Sequence, residues 1–267
     1  MTRQAAELEH ELRLALARRE VQVHFQPQVA LASGRIVGVE ALVRWPHRDR
    51  GWISPAQFIP VAEDSNLIHP LGEFVLAQGC RQLKAWDRAG LPPLRVAINV
   101  SARQFGSAGF VRSVAGALRV AALDPGRVQL ELTQGVLLES PDRSIAVLKQ
   151  LKAIGVKIAI DDFGADRPSL TELRRLPIDC LKIDRPFVQR IAEAGQDAAI
   201  ALGVISLAQG LALNVIAEGV ETLEQLEVLL SQGCDEGQGE LFCKPLPADA
   251  LGSLLAAGRV SVAREVS

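Results

Sequence analysis

Apolar and polar positions alternate along this chain in two periods. Residues 4–19 set Ala5, Leu8, Leu12, Leu14, Leu16 and Ala17 at near-helical spacing among Glu and Arg, which predicts an amphipathic helix. Val21, Val23 and Phe25 then alternate with polar neighbours toward Leu31. Ser33-Gly34 turns the chain and Arg35–Trp45 resumes it, so a hairpin is expected. Residues 51–70 read as loop and helix, with Ser54 as N-cap and Pro55 at the first helical position. From there the pattern repeats as helix and short apolar run. Helices are predicted over 72–89, 107–121, 140–154, 168–175, 187–209 (with a break near Gly195), 222–231 and 248–257. The apolar runs between them predict strands at 95–100, 128–132, 157–162, 179–184, 214–217 and 234–238.

With the hairpin this makes eight strands, most of them alternating with helices. The arrangement predicts an α/β fold, a modified (β/α)8 TIM-type barrel whose first strand is irregular and antiparallel. An open doubly wound sheet is the alternative, but neither GxGxxG nor GxxxxGK[ST] occurs. The length of 267 residues suits one such barrel.

Polar residues interrupt these apolar runs at matching places. Glu40, Asn99, Glu131, Asp161 with Asp162, Lys182, Glu218 and Gln238 fall at or near strand ends, which a barrel gathers on one face. Adjacent carboxylates such as Asp161 and Asp162 are stable only when exposed, protonated or neutralised by a cation. Hard oxygen donors suit Mg²⁺ or Mn²⁺ rather than zinc, and there are enough for two ions, an arrangement that serves phosphodiester hydrolysis. Taken singly, each has a bland alternative: a paired strand carboxylate for Glu40 or Glu131, a loop hydrogen bond for Asn99, a helix cap for Glu218.

Composition adds limits. Hydrophobic residues make up 48% and charged residues 22%, and the formal net charge of -2 offers no broad polyanion-binding surface, so no DNA partner is expected. Cys80, Cys180, Cys234 and Cys243 lack CxxC spacing, which predicts reduced thiols in a cytoplasmic setting. No segment reaches the roughly 20 apolar residues needed to cross a bilayer.

The motifs FQPQV (25–29), EAL (40–42), NVSARQF (99–105), ELT (131–133), DDFG (161–164), LKID (181–184), EGVET (218–222) and QG (238–239) together resemble the EAL domains, bacterial cyclic di-GMP phosphodiesterases. The resemblance runs from about Leu8 to Leu251, so residues 1–267 are read as one such domain. The helix over residues 1–20 is the expected junction to an upstream sensor or GGDEF domain. The resemblance implies that Glu40, Asn99, Glu131 and Asp161 hold a first Mg²⁺ or Mn²⁺, and that Asp162 and Glu218, with Asp161 bridging, hold a second. It implies that Lys182 orients the attacking water and that Gln26, Arg44, Gln238 and Asp184 contact the dinucleotide. Glu221 and Gln134 are expected as supporting residues, and a homodimer as the assembly. The implied reaction opens cyclic di-GMP to linear pGpG.

Three positions depart from the family's pattern. Gln134 stands where active members carry a Glu. The segment Ala165-Asp166-Arg167-Pro168 replaces the usual sequence after DDFG, and Glu240 follows QG where an aromatic is common. They motivate a second expectation, a catalytically weak cyclic di-GMP receptor or protein-interaction module.

Overall fold

A computed structural model describes residues 3–164, 170–193 and 195–257. Among the described residues ten strands form: β1 (Gln22–Ala30), β2 (Arg35–His47), β3 (Gly51–Ile53), β4 (Arg95–Asn99), β5 (Val128–Thr133), β6 (Lys157–Phe163), β7 (Cys180–Ile183), β8 (Asn214–Glu218), β9 (Glu236–Gln238) and β10 (Leu246–Pro247). Eight of them close a barrel in the order β1-β2-β4-β5-β6-β7-β8-β9, with β9 returning to β1. The strands from β2 and β4 to β9 pair in parallel, and β1 runs antiparallel to both its neighbours. The expected modified (β/α)8 barrel is therefore the fold.

β3 and β10 lie outside the barrel and were not expected, because three and two residues carry no period of their own. β3 extends the edge beyond β2, and β10 pairs with β1 at His24 and Phe25. The helical stretch expected over 187–209 is two helices, Arg185–Gln189 and Gln196–Gly210, with Gly195, the expected break, standing just ahead of the second. Short helices at Ala102–Phe105 and Gln134–Glu139 were also missed, each being too brief to show an amphipathic repeat. Ser54 and Ser140 do occupy N-cap positions, yet neither side chain bonds the helix. Thr222 does, in a capping box with Gln225.

The alternation within the strands has an unusual sense. In β5, Val128, Leu130 and Leu132 belong to the core cluster that joins barrel and helices, while Gln129 and Glu131 take the opposite face. That face looks into the barrel, not into water, and both polar residues are buried. The helix Ile68–Arg88 covers the outside with one apolar face of Leu71, Val75, Leu76, Cys80, Leu83 and Trp86. Inside, a small apolar cluster of Ala159, Cys180 and Ile216 sits on three adjacent strands. A separate core at the rim packs Leu8, Leu12 and Ala15 of the first helix (Arg3–Arg18) against Trp45, Ile53, Phe58 and Leu67.

Candidate functional site

Inward-facing residues of the parallel strands meet at the C-terminal mouth of the barrel. Lys182, midway along β7, is fully buried, and its Nζ lies 2.5 Å from Glu218, 2.6 Å from Glu131, 3.2 Å from Asp161 and 3.8 Å from Glu40. Four carboxylates thus surround one ammonium, a formal surplus of three negative charges. Burial alone would lower the Lys182 pKa, but Asp161, Glu131, Glu218 and Glu40 more than reverse this and hold it above the ordinary range. The surplus appears on the acids. Burial, then the charges of Glu40 and Asp161, push Glu131 up to about 8 against the pull of Lys182. Burial raises Glu218 well above a normal carboxylate in the same way.

Asp161 and Asp162 would face opposite sides of a regular strand. Here the register between β6 and β7 shifts after Ile160, and Asp162 adopts a left-handed backbone with φ 53. One oxygen each from Asp161, Asp162 and Glu218 consequently falls within 4.8 Å of the others. Burial, Asp161 and Asp184 together raise Asp162 to about 6. Carboxylates without His or Cys form a donor set suited to Mg²⁺ or Mn²⁺, and the crowding of four acids on Lys182 shows how strongly the site demands positive charge.

Glu40 lies in the middle of β2, not at its end, because that strand runs on past the barrel to pair with β3. Its two oxygens accept from the Asn99 amide at 2.6 Å and the Gln238 amide at 2.5 Å. The carbonyl expected as a ligand is the other end of the Asn99 amide, so reaching a cation beside Glu40 requires that amide to turn over. Gln238 also donates to Gln26, whose own amide is anchored on the Cys243 carbonyl.

A cavity of about 290 Å³ opens beside the cluster, lined among others by Arg44, Pro55, Ile59, Asn99, Glu131 and Asp161. Arg44 thus stands at its wall, its guanidinium bonded to the Val43 carbonyl. Asp184 heads the helix that follows β7, with its pKa raised by burial. Glu221 accepts from Arg185 at 2.6 Å and Gln189 at 3.2 Å, tying the loop after β8 to the helix after β7 rather than joining the carboxylates. Gln134 opens the helix after β5, and its buried amide has no hydrogen-bond partner among the described residues. The segment 165–168 lies outside the described residues, and Glu240 pairs with Lys244 at the surface.

Gln28, Arg95, Gln129 and Glu236 were missed. All four face the barrel interior below the cluster, and the signal available was the alternation of Gln28 with Gln26 and of Gln129 with Glu131.

Fold and site together define a TIM-type barrel with an acidic, cation-demanding centre at the mouth of its parallel strands. The chain belongs to the EAL domain family, whose profile matches residues 9–245. It is 45% identical over 245 residues to the bifunctional diguanylate cyclase/cyclic di-GMP phosphodiesterase MucR of Pseudomonas aeruginosa, covering 92% of this chain and 36% of that protein. It is 43% identical over 260 residues to the cyclic di-GMP phosphodiesterase NbdA of the same organism, covering 97% of this chain and 33% of that one. The chain therefore spans about a third of the length of these relatives. Among solved structures, the MucR phosphodiesterase in complex with c-di-GMP superposes with a TM-score of 0.89 at 45% identity, covering 92% of this chain and 99% of that one. The EAL enzyme Bd1971 in its cGMP-bound form gives 0.88 at 32% identity, over 94% of this chain and 70% of that one. Among the described residues, no helix is long and apolar enough to cross a membrane.

Proposed function

We propose that this chain hydrolyses cyclic di-GMP to linear pGpG with two divalent cations. The observation that carries the reading is the carboxylate cluster around Lys182, in a chain that aligns over nearly its whole length with proteins named for that activity. Glu40, Asn99, Glu131 and Asp161 would hold one Mg²⁺ or Mn²⁺, and Asp161, Asp162 and Glu218 the other. Bound there, the ions supply a lowered water pKa and charge neutralisation at phosphorus. The remaining work falls to the chain. Arg44, in the wall of the 290 Å³ cavity, and Gln26 contact the dinucleotide. Lys182, at the centre of the carboxylates, would direct an N–H toward the attacking water. Water adds to phosphorus and gives up one proton, the P–O3′ bond breaks, and the departing oxygen takes up that proton. A 5′-phosphate and a 3′-hydroxyl result, which is pGpG.

The buried Gln134 amide, without a partner among the described residues, favours a second reading, a receptor that binds the dinucleotide without turning it over. A turnover assay with Mg²⁺ or Mn²⁺ that follows pGpG, with Glu40→Ala as control, separates the two. Product that disappears in the control supports the enzyme. Binding by calorimetry with no product sinks that reading in favour of the receptor.

A further inference from the structure

Below the carboxylate cluster, a line of hydrogen bonds descends to the floor of the barrel. Glu40 accepts from the Gln238 amide nitrogen at 2.5 Å, the Gln238 amide oxygen accepts from Gln28 Nε2 at 3.2 Å, and Gln28 Oε1 accepts from the Arg95 guanidinium at 2.9 Å. Glu236 pairs with the same guanidinium at 2.5 and 3.3 Å and is itself held by the Asn214 amide at 3.0 Å. Gln28 is fully buried, and Glu40, Gln238 and Glu236 are nearly so.

The direction of this line is fixed by its ends. Arg95 can only donate, so Gln28 must offer it oxygen and turn its nitrogen to Gln238. Gln238 must then accept on its oxygen, which leaves its nitrogen for Glu40. A side branch agrees: the Cys243 carbonyl can only accept, so Gln26 spends its nitrogen there and offers oxygen to Gln238. The backbone makes the line feasible at Gly38. This residue pairs with Gln28 on β1 and with Arg95 on β4, so the two side chains meet over it. A Cβ there would stand 2.9 Å from Gln28 Oε1 and 3.4 Å from Arg95 Nε.

We propose that Arg95 and Gln28 are positioning residues that set the direction of the Gln238 amide and thereby aim the Glu40 carboxylate. The cation at the floor imposes one orientation on two amides in series, so that N–H and not C=O reaches Glu40. Through Glu40 this rests on the reading of the cluster as a cation site.

The test compares Gly38→Ala, Arg95→Met and Gln28→Glu with Arg127→Met, which removes the Arg127–Asp87 ion pair on the outside of the barrel. Three readouts are taken: Mn²⁺ affinity by calorimetry, thermal stability, and the Gln238 side-chain amide resonances of metal-free protein. Gly38→Ala and Arg95→Met are expected to shift those resonances and weaken Mn²⁺ binding about tenfold. Arg127→Met should lower stability and leave both untouched. Gln28→Glu is the sharpest arm. It keeps an acceptor for Arg95 but has nothing to donate, so Gln238 must reverse and turn its oxygen to Glu40. Mn²⁺ binding should fall most here although the variant adds a negative charge, a result that a merely structural role for Gln28 does not give.

Unchanged resonances and Mn²⁺ affinity in Gly38→Ala and Gln28→Glu would overturn the proposal. If Arg95→Met does not fold, Gly38→Ala, which deletes no polar group, carries the comparison. If the wild type binds no Mn²⁺, the reading of the cluster fails, and the Gln238 resonances still decide the relay.

Discussion

Asp162 follows Asp161 with a left-handed backbone, and this single turn brings two consecutive carboxylates to the same side of β6. The pair is unequal. Asp161 also reaches Lys182 at 3.2 Å, whereas Asp162 is more exposed and has no ion pair with it. Asp161→Asn is therefore expected to reduce Mn²⁺ affinity and kcat by more than the roughly 10- to 100-fold typical of residues behind a ligand, and by more than Asp162→Asn. Equal losses would count against Asp161 bridging two ions. Asp162→Gly, free of the left-handed penalty, should lose turnover like Asp162→Asn yet gain up to about 1 kcal/mol of stability in urea.

Lys182 is the resident cation of the metal-free cluster. Replacing it with Met leaves four carboxylates without a counter-charge, so the metal-free protein should melt lower. The rise in Tm on adding Mn²⁺ should be larger in Lys182→Met than in wild type, because no ammonium competes for the same oxygens. Turnover should nevertheless fall. A smaller Mn²⁺-induced rise would mean that Lys182 supports cation binding and does not oppose it.

The raised acids give a pH dependence with a definite sign. Glu131 moves from 4.5 up to about 8 and Asp162 from 3.8 up to about 6, so the folded protein holds these protons more tightly than the unfolded chain. Their contribution is fully present below the unfolded values. It is lost as pH rises, by about 6 for Asp162 and by about 8 for Glu131. Metal-free protein in chelator should accordingly become less stable between pH 5 and 8. Cations bind the deprotonated acids, so Mn²⁺ affinity should rise across the same interval, with proton release that calorimetry in two buffers can measure. A flat affinity profile between pH 6 and 8 would contradict the burial of Glu131 as an acid.

Gln134 packs with Leu137, Leu138, Ile160, Phe163, Leu173 and Leu176 around a small cavity, and both ends of its amide lack a partner among the described residues. An unsatisfied buried amide is destabilising by about 1–3 kcal/mol relative to a satisfied one. Gln134→Leu should thus stabilise the protein by about 1 kcal/mol in urea denaturation. A loss of stability would show that the amide has a partner in the folded state in solution.

The barrel was legible in the sequence because its strands recur between helices and each carries polar residues at corresponding places. The acidic cluster was legible for the same reason, since Glu131, Asp161 and Glu218 stand out against Leu132, Ile160 and Ala217. The lower half of the interior was not. Gln28 and Gln129 alternate with apolar residues as they would on any strand with a wet face, and only closure of the barrel turns that face inward. The short elements β3, β10 and the helix Gln134–Glu139 escaped because tertiary pairing, not a period of their own, specifies them. The site of Glu40 was read correctly as a buried carboxylate but placed near a strand end, because nothing in Val43-Arg44-Trp45 announces that β2 outgrows the barrel.

The reversed first strand has a consequence for how the domain is approached. In an all-parallel barrel the chain enters from the floor, far from the chemistry. Here β1 runs downward, Gln22 stands beside Arg44, and the helix Arg3–Arg18 lies on the rim against Trp45 and Phe58. A tether or fusion partner spliced ahead of that helix would pull on the wall that carries Arg44 and flanks the cavity. The helix Ala248–Ala257 packs on β10 and β1, and β10 meets β1 at His24 and Phe25, so a partner attached after it would pull on the same end of β1. Both helices thus hold the wall of the mouth, from its two sides.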